Sequence, residues 1–257
     1  MSTPVLIDLD SSNLAEFPCC GIKNPSHPGL LAKRCWLKAQ FNLGLRAKIL
    51  LDANGKPFGY IEYLPGDVAW RGVRAAGYMF IHCIWNQSSR HQHKGWGSAM
   101  LEACVKDAKA AGMNGVAVLT RAGPWSAGRS LFFAKGFKLA DAAPPDYELL
   151  VHKFKASAAD PAFKGGYDRK AARFGKGLTI IRSAQCPYNA KFAAEIARTA
   201  EEEFHLTAKT IDLESCKDAQ DAPTPYAVFA ILYEGRILAD HQISRTRFRN
   251  IMKKVMS

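Results

Sequence analysis

The sequence predicts an α/β (α+β) protein in which a mixed β-sheet with flanking helices is followed by a smaller α/β domain. Two observations support the elements: residues 77–85 form an apolar run typical of a buried strand, and apolar residues recur at helical spacing over 98–111 and 189–204. A third supports the division: residues 155–176 are rich in Ala, Gly, Lys and Arg, as expected of a connecting segment.

The composition narrows the class of protein. A chain of 257 residues can form one large domain or two small ones around a buried core. Its seven cysteines are odd in number and scattered, which predicts reduced thiols and a cytoplasmic protein rather than a secreted disulfide framework. We expect neither a signal peptide nor a membrane span. The formal charge of +12 fits a solvated basic surface better than a nucleic-acid partner, and a polyanionic cofactor is a third explanation.

The first part of the chain predicts the element order β-β-β-α-β-α-β up to about residue 155. Residues 1–45 are expected to be loop-rich, because prolines and glycines break any long element. Two strands follow at 47–51 and 58–63, joined by the hairpin turn Asp52-Ala53-Asn54-Gly55. The remaining predicted elements of this part lie at 77–85, 98–111, 115–120, 126–134 and 147–154.

The second part predicts a separate small domain. We expect domains at 1–155 and 177–257, with a linker at 156–176 that contains Asp160-Pro161 and Gly165-Gly166. The predicted strands and helices of the second domain lie at 178–182, 189–204, 206–213, 226–233, 236–240 and 244–255.

The most informative motif is Gln92-His93-Lys94-Gly95-Trp96-Gly97, between the buried strand and the helix of 98–111. A strand that turns through glycines into a helix presents several unpaired N–H groups, which form a site for an anion and above all for a diphosphate. A Cβ at these glycines would keep the phosphate from the backbone. The alternatives are a corner that serves packing alone, and a Rossmann dinucleotide turn, which the absence of Gly-x-Gly-x-x-Gly spacing disfavours.

The motif Gln-x-x-Gly-x-Gly is followed about forty residues later by Ser130-Leu131-Phe132-Phe133-Ala134-Lys135-Gly136-Phe137. Together the two motifs resemble the GCN5-related N-acetyltransferase (GNAT) superfamily over residues 47–154. The resemblance implies acetyl-CoA, with its pyrophosphate on backbone amides and its pantetheine along the strand before the turn. The implied cofactor-binding residues are Ile81, Cys83, Ile84, Gln92, His93, Lys94, Gly95, Trp96, Gly97 and Ser98.

The implied reaction is transfer of an acetyl group to a primary amine by direct attack, which needs a base, an oxyanion donor and an acid. Many family members carry a tyrosine four residues before the Gly of Gly-Phe, and here that position is Phe132, which cannot donate a proton. The catalytic candidates are therefore Glu62, His82 and Cys83. Because His82 and Cys83 are adjacent on a strand, we expect only one of them to face the site. Ser126 is a proton donor or a helix cap.

A second motif, Gln185-Cys186-Pro187-Tyr188-Asn189, precedes the helix of 189–204. A thiol at a helix start has its thiolate stabilised by the helix dipole. The motif resembles the opening of a thioredoxin or glutaredoxin helix, although Asn189 replaces the second cysteine. Thr224-Pro225 corresponds to the cis-proline segment of those proteins. Together with the first domain it is similar to the YoaP-like acetyltransferases. Cys186 is a candidate redox thiol, acting alone or with Cys216; the alternative is a degenerate module that serves binding or packing.

The N-terminal segment contains Cys19, Cys20, His27 and Cys35. Their spacing matches no Cys-x-x-Cys pair, so we expect spare thiols rather than a metal site. This segment is also a candidate acceptor lid, with Trp36 and Phe41 as an apolar wall. Besides the enzyme, the sequence leaves two other functions open: a CoA-binding regulatory protein without turnover, and a thiol-dependent protein acting through its second domain.

Overall fold

The computed structural model describes residues 4–17, 19–22, 24–86 and 95–257, without the side chain of residue 19. The chain divides into two compact units. The first unit comprises Met1–Ala69 and Val73–Phe163, and the second comprises Trp70–Gly72 and Lys164–Ser257. Within the described ranges no helix is both long enough and apolar enough to cross a membrane. The predicted α/β (α+β) class, with a mixed sheet and flanking helices, is confirmed.

The first unit is built around one mixed sheet. Its elements are β1 (Val5–Leu9), α1 (Pro28–Phe41), β2 (Arg46–Leu51), β3 (Pro57–Pro65), β4 (Val73–Arg74), β5 (Tyr78–Asn86), α2 (Trp96–Ala110), β6 (Gly115–Thr120), α3 (Arg129–Phe133), β7 (Lys138–Ala143), β8 (Tyr147–Lys153) and β9 (Ala162–Phe163). The sheet order is β1-β2-β3-β5-β6-β8-β7, and β4 pairs with β9. Among the described strand pairs of this sheet, only β5–β6 is parallel. The buried face of α2, including Met100 and Cys104, packs in one core with Met79 and Val116.

The N-terminal segment is more regular than predicted. The expectation of loops over 1–45 was wrong, because β1 and the 14-residue α1 lie there. Pro28 stands at the first position of α1, where a missing N–H costs no helical hydrogen bond. The His27 imidazole caps the helix by accepting from the Gly29 N–H at 3.1 Å. β7 was also missed, since its sequence Lys-Leu-Ala-Asp-Ala-Ala has little strand preference.

The β5–β6 pair opens into a gap. These strands pair only where Tyr78–Ile81 faces Gly115–Val118. Beyond that point β5 stays paired with β3, and β6 stays paired with β8. A register shift sets Glu62 opposite Cys83 and Tyr63 opposite Ile81, so that His82 is an extra, bulged residue on β5. The bulge therefore lies where the gap begins.

The second unit contains a four-stranded sheet. Its elements are α4 (Tyr167–Ala172), β10 (Leu178–Arg182), α5 (Asn189–Phe204), β11 (Ala208–Asp212), α6 (Cys216–Gln220), β12 (Phe229–Tyr233), β13 (Arg236–Ala239) and α7 (Arg245–Met256). The order is β11-β10-β12-β13, with β10 parallel to β11 and the other pairs antiparallel. The predicted strand at 178–182 and helix at 189–204 are confirmed. β12 starts three residues later than predicted, because Ala227 has a φ of +66° that no strand accommodates.

Candidate functional site

The first turn of α2 begins at a glycine. Gly95, the N-cap, has a φ of +81°, which favours glycine, and no side chain of the described residues caps it. Among the described residues, none has an atom within 4 Å of a Cβ placed on Gly95. The first intrahelical bond joins the Ala99 N–H to the Gly95 carbonyl, and the preceding amides point out of the helix. The predicted residues Gln92, His93 and Lys94 lie outside the described residues.

Gly97, the second glycine of the motif, has a different structural role from Gly95. A Cβ on Gly97 would lie 3.3 Å from the Leu131 side chain, so this glycine lets α2 approach α3 closely. Trp96 is partly buried and packs edge-on against Phe58, with ring centroids 5.9 Å apart. Gly97 therefore fits the packing interpretation of the motif, while Gly95 fits the anion interpretation.

A buried ionic cluster lies where β3 faces the bulge of β5. The Lys33 Nζ donates to Glu62 Oε2 at 2.5 Å, and both side chains are fully buried. The Tyr60 hydroxyl donates to the same carboxylate oxygen at 2.5 Å. The other oxygen, Oε1, lies 4.0 Å from His82 Nδ1. We call Lys33, Trp36, Tyr60, Glu62 and His82 the Glu62 cluster.

Aromatic rings enclose this cluster. The Lys33 ammonium lies 4.2 Å from the centroid of the Trp36 ring, a cation–π contact. The His82 ring lies between Trp36 and Phe80, with centroid distances of 6.1 and 5.9 Å. Burial alone would lower the pKa of Lys33, but the charge of Glu62 and its hydrogen bond outweigh that effect and raise it. The Lys33 ammonium thus stays protonated at neutral pH.

The bulge brings both His82 and Cys83 to the Glu62 cluster. Strict alternation predicts that only one of them can face the site, and this expectation was wrong, because the extra residue on β5 breaks the alternation. Cys83 lies opposite Glu62, is half-buried, and hydrogen-bonds the thiol of Cys20. That hydrogen bond, followed by burial, raises the pKa of Cys20 well above its usual value.

The predicted cofactor residues on β5 differ in exposure. Ile81 is buried in the core with Met79, while Ile84 is only partly buried against the same core. β5 is buried as far as His82 and partly exposed from Cys83 to Asn86, as a strand beside a gap should be. Within the part of the chain that the structure describes, the buried Thr120 hydroxyl at the end of β6 has no hydrogen-bond partner.

Helix α3 carries no proton donor at residue 132, where the resemblance implies a tyrosine. Phe132 is fully buried and packs on Phe137 with ring centroids 5.4 Å apart. Ser126 lies before the helix, and its Oγ accepts from the Arg121 N–H at 3.2 Å. Gly128, not Ser126, is the N-cap of α3.

A cavity of about 820 Å³ lies between the end of β6, the start of α3 and the β7–β8 turn. Its charged groups are paired, with Arg121 bound to Asp146 at 2.7 Å and Arg129 to Glu148 at 2.6 Å. The Tyr147 hydroxyl accepts from Arg121 at 3.0 Å. The first unit therefore offers a second open space at the same end of β6 as Thr120.

The second unit holds the predicted thiol at the start of α5. Cys186 is half-buried and accepts a hydrogen bond from Gln242 Nε2 at 3.5 Å. The same amide nitrogen donates to Asn189 Oδ1 at 2.5 Å. We call Cys186, Asn189 and Gln242 the Cys186 cluster. Neither Cys186 nor Cys216 is in a disulfide.

Asn189, which replaces the second cysteine of the thioredoxin-type motif, is a buried structural residue. Its Nδ2 donates to the carbonyls of Ser183 at 2.8 Å and Val228 at 2.9 Å. It thereby joins the loop after β10 to the loop before β12. The only cis peptide bond among the described residues is Pro144–Pro145, so the Thr224–Pro225 bond is trans and departs from the expected cis-proline.

Sequence reasoning missed Lys33 and Tyr60. Lys33 lies on α1 in a segment expected to be loop, although a signal was present: Leu30, Lys33 and Leu37 recur at helical spacing and are all buried. A lysine at an inward position of an amphipathic helix indicates a buried partner. Tyr60 stands two residues before Glu62 and so shares its face of β3.

Two family models match the chain. Residues 16–126 match the Acetyltransferase (GNAT) family, and residues 208–250 match the YoaP-like family. The "Uncharacterized N-acetyltransferase YoaP" of Bacillus subtilis (strain 168) is 28% identical over 250 residues, which cover 96% of this chain and 97% of that protein.

Solved structures are similar to part of the chain. One is the paia N-acetyltransferase from Thermoplasma acidophilum in complex with coenzyme A, at 18% identity and a TM-score of 0.42 over 60% of this chain and 100% of that one. Another is a GNAT family acetyltransferase from Brucella melitensis in complex with acetyl-CoA, at 15% identity and a TM-score of 0.40 over 63% of this chain and 96% of that one.

Proposed function

We propose that this chain, which carries a GNAT acetyltransferase domain and a YoaP-like domain at its C-terminus, transfers an acetyl group from acetyl-CoA to a primary amine. It is an enzyme of the acyltransferase class. One observation carries the proposal: β5 and β6 separate at the His82 bulge, directly beside the Glu62 cluster. We assign the transfer to a domain at 1–155, followed by a linker at 156–176 and a second domain at 177–257.

In this proposal the open end of α2 binds the pyrophosphate of acetyl-CoA. The amides of residues 94–98 supply the donors, and the left-handed Gly95 leaves space for the anion. Cys83 and Ile84, on the half-exposed end of β5, line the pantetheine channel, with Ile81 in its buried wall. We also assign Gln92 and His93, which lie outside the described residues, to the binding of the pyrophosphate.

Acetyl-CoA supplies a thioester, and as the amine nitrogen bonds to its carbonyl carbon the carbon–sulfur bond breaks. His82 accepts the amine proton, and the Glu62 carboxylate at 4.0 Å stabilises the resulting imidazolium. Glu62 already accepts from Lys33 and Tyr60, so it suits this positioning task better than taking the proton itself. The half-exposed Cys83 thiol protonates the departing CoA thiolate, a transfer between two groups of the same kind.

A calorimetric titration with acetyl-CoA tests the binding site. Gly95→Ala should weaken binding, because alanine disfavours a φ of +81° and shifts the first turn of α2. Gly55→Ala is the matched control: its φ is +75°, a Cβ there also meets nothing within 4 Å, and it lies in the β2–β3 turn. Both variants should lose similar stability, and only Gly95→Ala should lose affinity. Equal affinity in the two variants would contradict the assignment.

Turnover separates the enzyme from a regulatory CoA-binding protein. Release of CoA from acetyl-CoA in the presence of a panel of primary amines measures acetyl transfer directly. Binding of acetyl-CoA without release of CoA with any amine would favour the regulatory alternative.

The Gln242–Cys186 hydrogen bond favours a second candidate function, one-thiol exchange with disulfides. A donor to sulfur stabilises a thiolate, and the sheet order β11-β10-β12-β13 supports a thioredoxin-like second domain. An aromatic disulfide that releases a coloured thiolate reports the reaction. Cys186→Ser should abolish the fastest phase, whereas Cys216→Ser should retain it. An unchanged fast phase in Cys186→Ser would exclude this function.

A further inference from the structure

Two thiols from distant parts of the first unit meet at the edge of the Glu62 cluster. Cys20 lies in the 3-10 turn Cys19–Gly21 and hydrogen-bonds Cys83 on β5 through its side chain. Neither thiol is in a disulfide, and both are partly exposed. The turn Cys19–Gly21 contacts β3, the strand that carries Glu62, and the charges of Lys33 and Glu62 act on the Cys20 thiol. We propose that Cys20 and Cys83 form a reversible disulfide that shuts off acetyl transfer.

The geometry favours bond formation over a solitary modified thiol. Disulfides form between cysteines whose side chains already face each other, and two thiols in hydrogen-bonding contact meet that condition. Cys20 has a φ of +55° in a short turn, so its position does not depend on a long helix or a strand ladder. Cys83 is fixed by its pairing with Glu62, so the small adjustment needed to close the bond falls on the turn.

The oxidant is a low-molecular-weight disulfide such as oxidised glutathione. One thiolate attacks a sulfur of the reagent, which forms a mixed disulfide and releases one reagent thiolate. The second protein thiol then displaces the other reagent thiolate as the Cys20–Cys83 bond forms. Both cysteine protons pass to the two released thiolates, so the protein loses two hydrogens and the reagent is reduced to two thiols.

The consequence for catalysis rests on the proposed function. In the disulfide, Cys83 has no proton to give to the CoA thiolate, and the Cys20 turn is tied to β5 beside the gap. Loss of the acid should lower acetyl transfer by about 100-fold. A thiol reductant should restore the activity, since the covalent change is confined to one sulfur–sulfur bond.

The rate of closure should depend on pH. The hydrogen bond with Cys83 and burial both raise the pKa of Cys20, so its reactive thiolate is scarce at neutral pH. Closure that begins with attack by Cys20 should therefore be slow near neutrality and faster in alkaline solution.

The test treats the full-length protein with excess oxidised glutathione and maps peptides by mass spectrometry without reduction. We expect a peptide pair linked through Cys20 and Cys83, a loss of acetyl transfer, and reversal of both by dithiothreitol. The Cys20→Ser variant should form no linked peptide and should retain acetyl transfer after treatment with oxidised glutathione. Cys19→Ser and Cys35→Ser are the matched controls and should still form the link.

Three results would overturn the proposal. Glutathione attached singly to Cys20 or Cys83, with no linked peptide, would show that the thiols do not close. A complete link with unchanged acetyl transfer would show that it is no switch. A reduced protein that transfers no acetyl group would overturn the proposed function and the switch together, while the linked peptide still reports the disulfide independently.

Discussion

Two junctions of the same kind, β5 to α2 and β10 to α5, differ in what surrounds the helix start. At the first, no described residue comes within 4 Å of a Cβ on Gly95, and the preceding strand lies beside a gap between β5 and β6. At the second, buried side chains fill the corner, with Asn189 joining two loops and Gln242 binding Asn189 and Cys186. We propose that the first junction binds a polyanionic ligand, while the second presents a single thiol.

The two junctions also differ in the charge of the side chains near them. The Glu62 cluster contains a fully buried ion pair, which holds a titratable imidazole next to a carboxylate. The Cys186 cluster contains neutral amides. The proposed functions, proton transfer beside an anion in one unit and thiol chemistry in the other, therefore depend on the side chains that surround each helix start.

The largest effect is expected for His82→Ala. Removal of the proposed base should lower kcat for acetyl transfer by about 10²–10⁴-fold. The Kd for acetyl-CoA should change little, because the variant leaves the proposed anion site at Gly95 intact. Steady-state kinetics with a titration of acetyl-CoA separate the two quantities. A fall in affinity with kcat unchanged would assign His82 to binding instead.

The next largest effect is expected for Lys33→Met. It leaves the Glu62 charge buried and unpaired, which should lower the free energy of unfolding by about 3–5 kcal/mol. The pKa of Lys33 is raised, so the pair stabilises the fold fully below the unfolded lysine pKa and loses this effect only as pH rises through the raised value. Urea unfolding at neutral pH measures the change.

A matched control is available for the Lys33 substitution. Lys135 pairs with Glu102 at 2.8 Å on the surface, and Lys135→Met should change the unfolding free energy by less than about 1 kcal/mol. Equal losses in the two variants would show that the buried pair has no special energetic role.

A smaller effect is expected for Asn189→Ala in the second unit. The carbonyls of Ser183 and Val228 would each lose a buried donor, which should lower the free energy of unfolding by about 2 kcal/mol. Asn54→Ala, in the exposed β2–β3 turn, is the control. Acetyl transfer should be unaffected in both variants, and a loss of transfer in Asn189→Ala would break the contrast between the two junctions.

The smallest effect is expected for Thr120→Val. The Thr120 hydroxyl is buried and lacks a partner among the described residues, so the isosteric valine should leave stability unchanged or raise it by about 1 kcal/mol. A loss of stability would contradict this prediction and show that the Thr120 hydroxyl makes a stabilising hydrogen bond. Thermal unfolding measures the sign.

The comparison also shows which features the sequence predicts. The helix 189–204 and the strand 178–182 followed from periodicity, because apolar spacing reports local geometry. The Glu62 cluster did not follow, because its Lys33 comes from a helix whose prolines and glycines resemble loop, and no local pattern encodes an ion pair across the unit. The bulge at His82 was equally hidden, since it is a property of two paired strands.

The most direct test of the central claim is amide hydrogen exchange of the whole protein with and without acetyl-CoA. Binding at the first junction predicts added protection at the end of β5, at residues 95–99 and at the end of β6, with none at residues 183–190. Protection confined to the second unit, or no change at saturating acetyl-CoA, would contradict the assignment of the acetyl-CoA site to the β5–α2 junction.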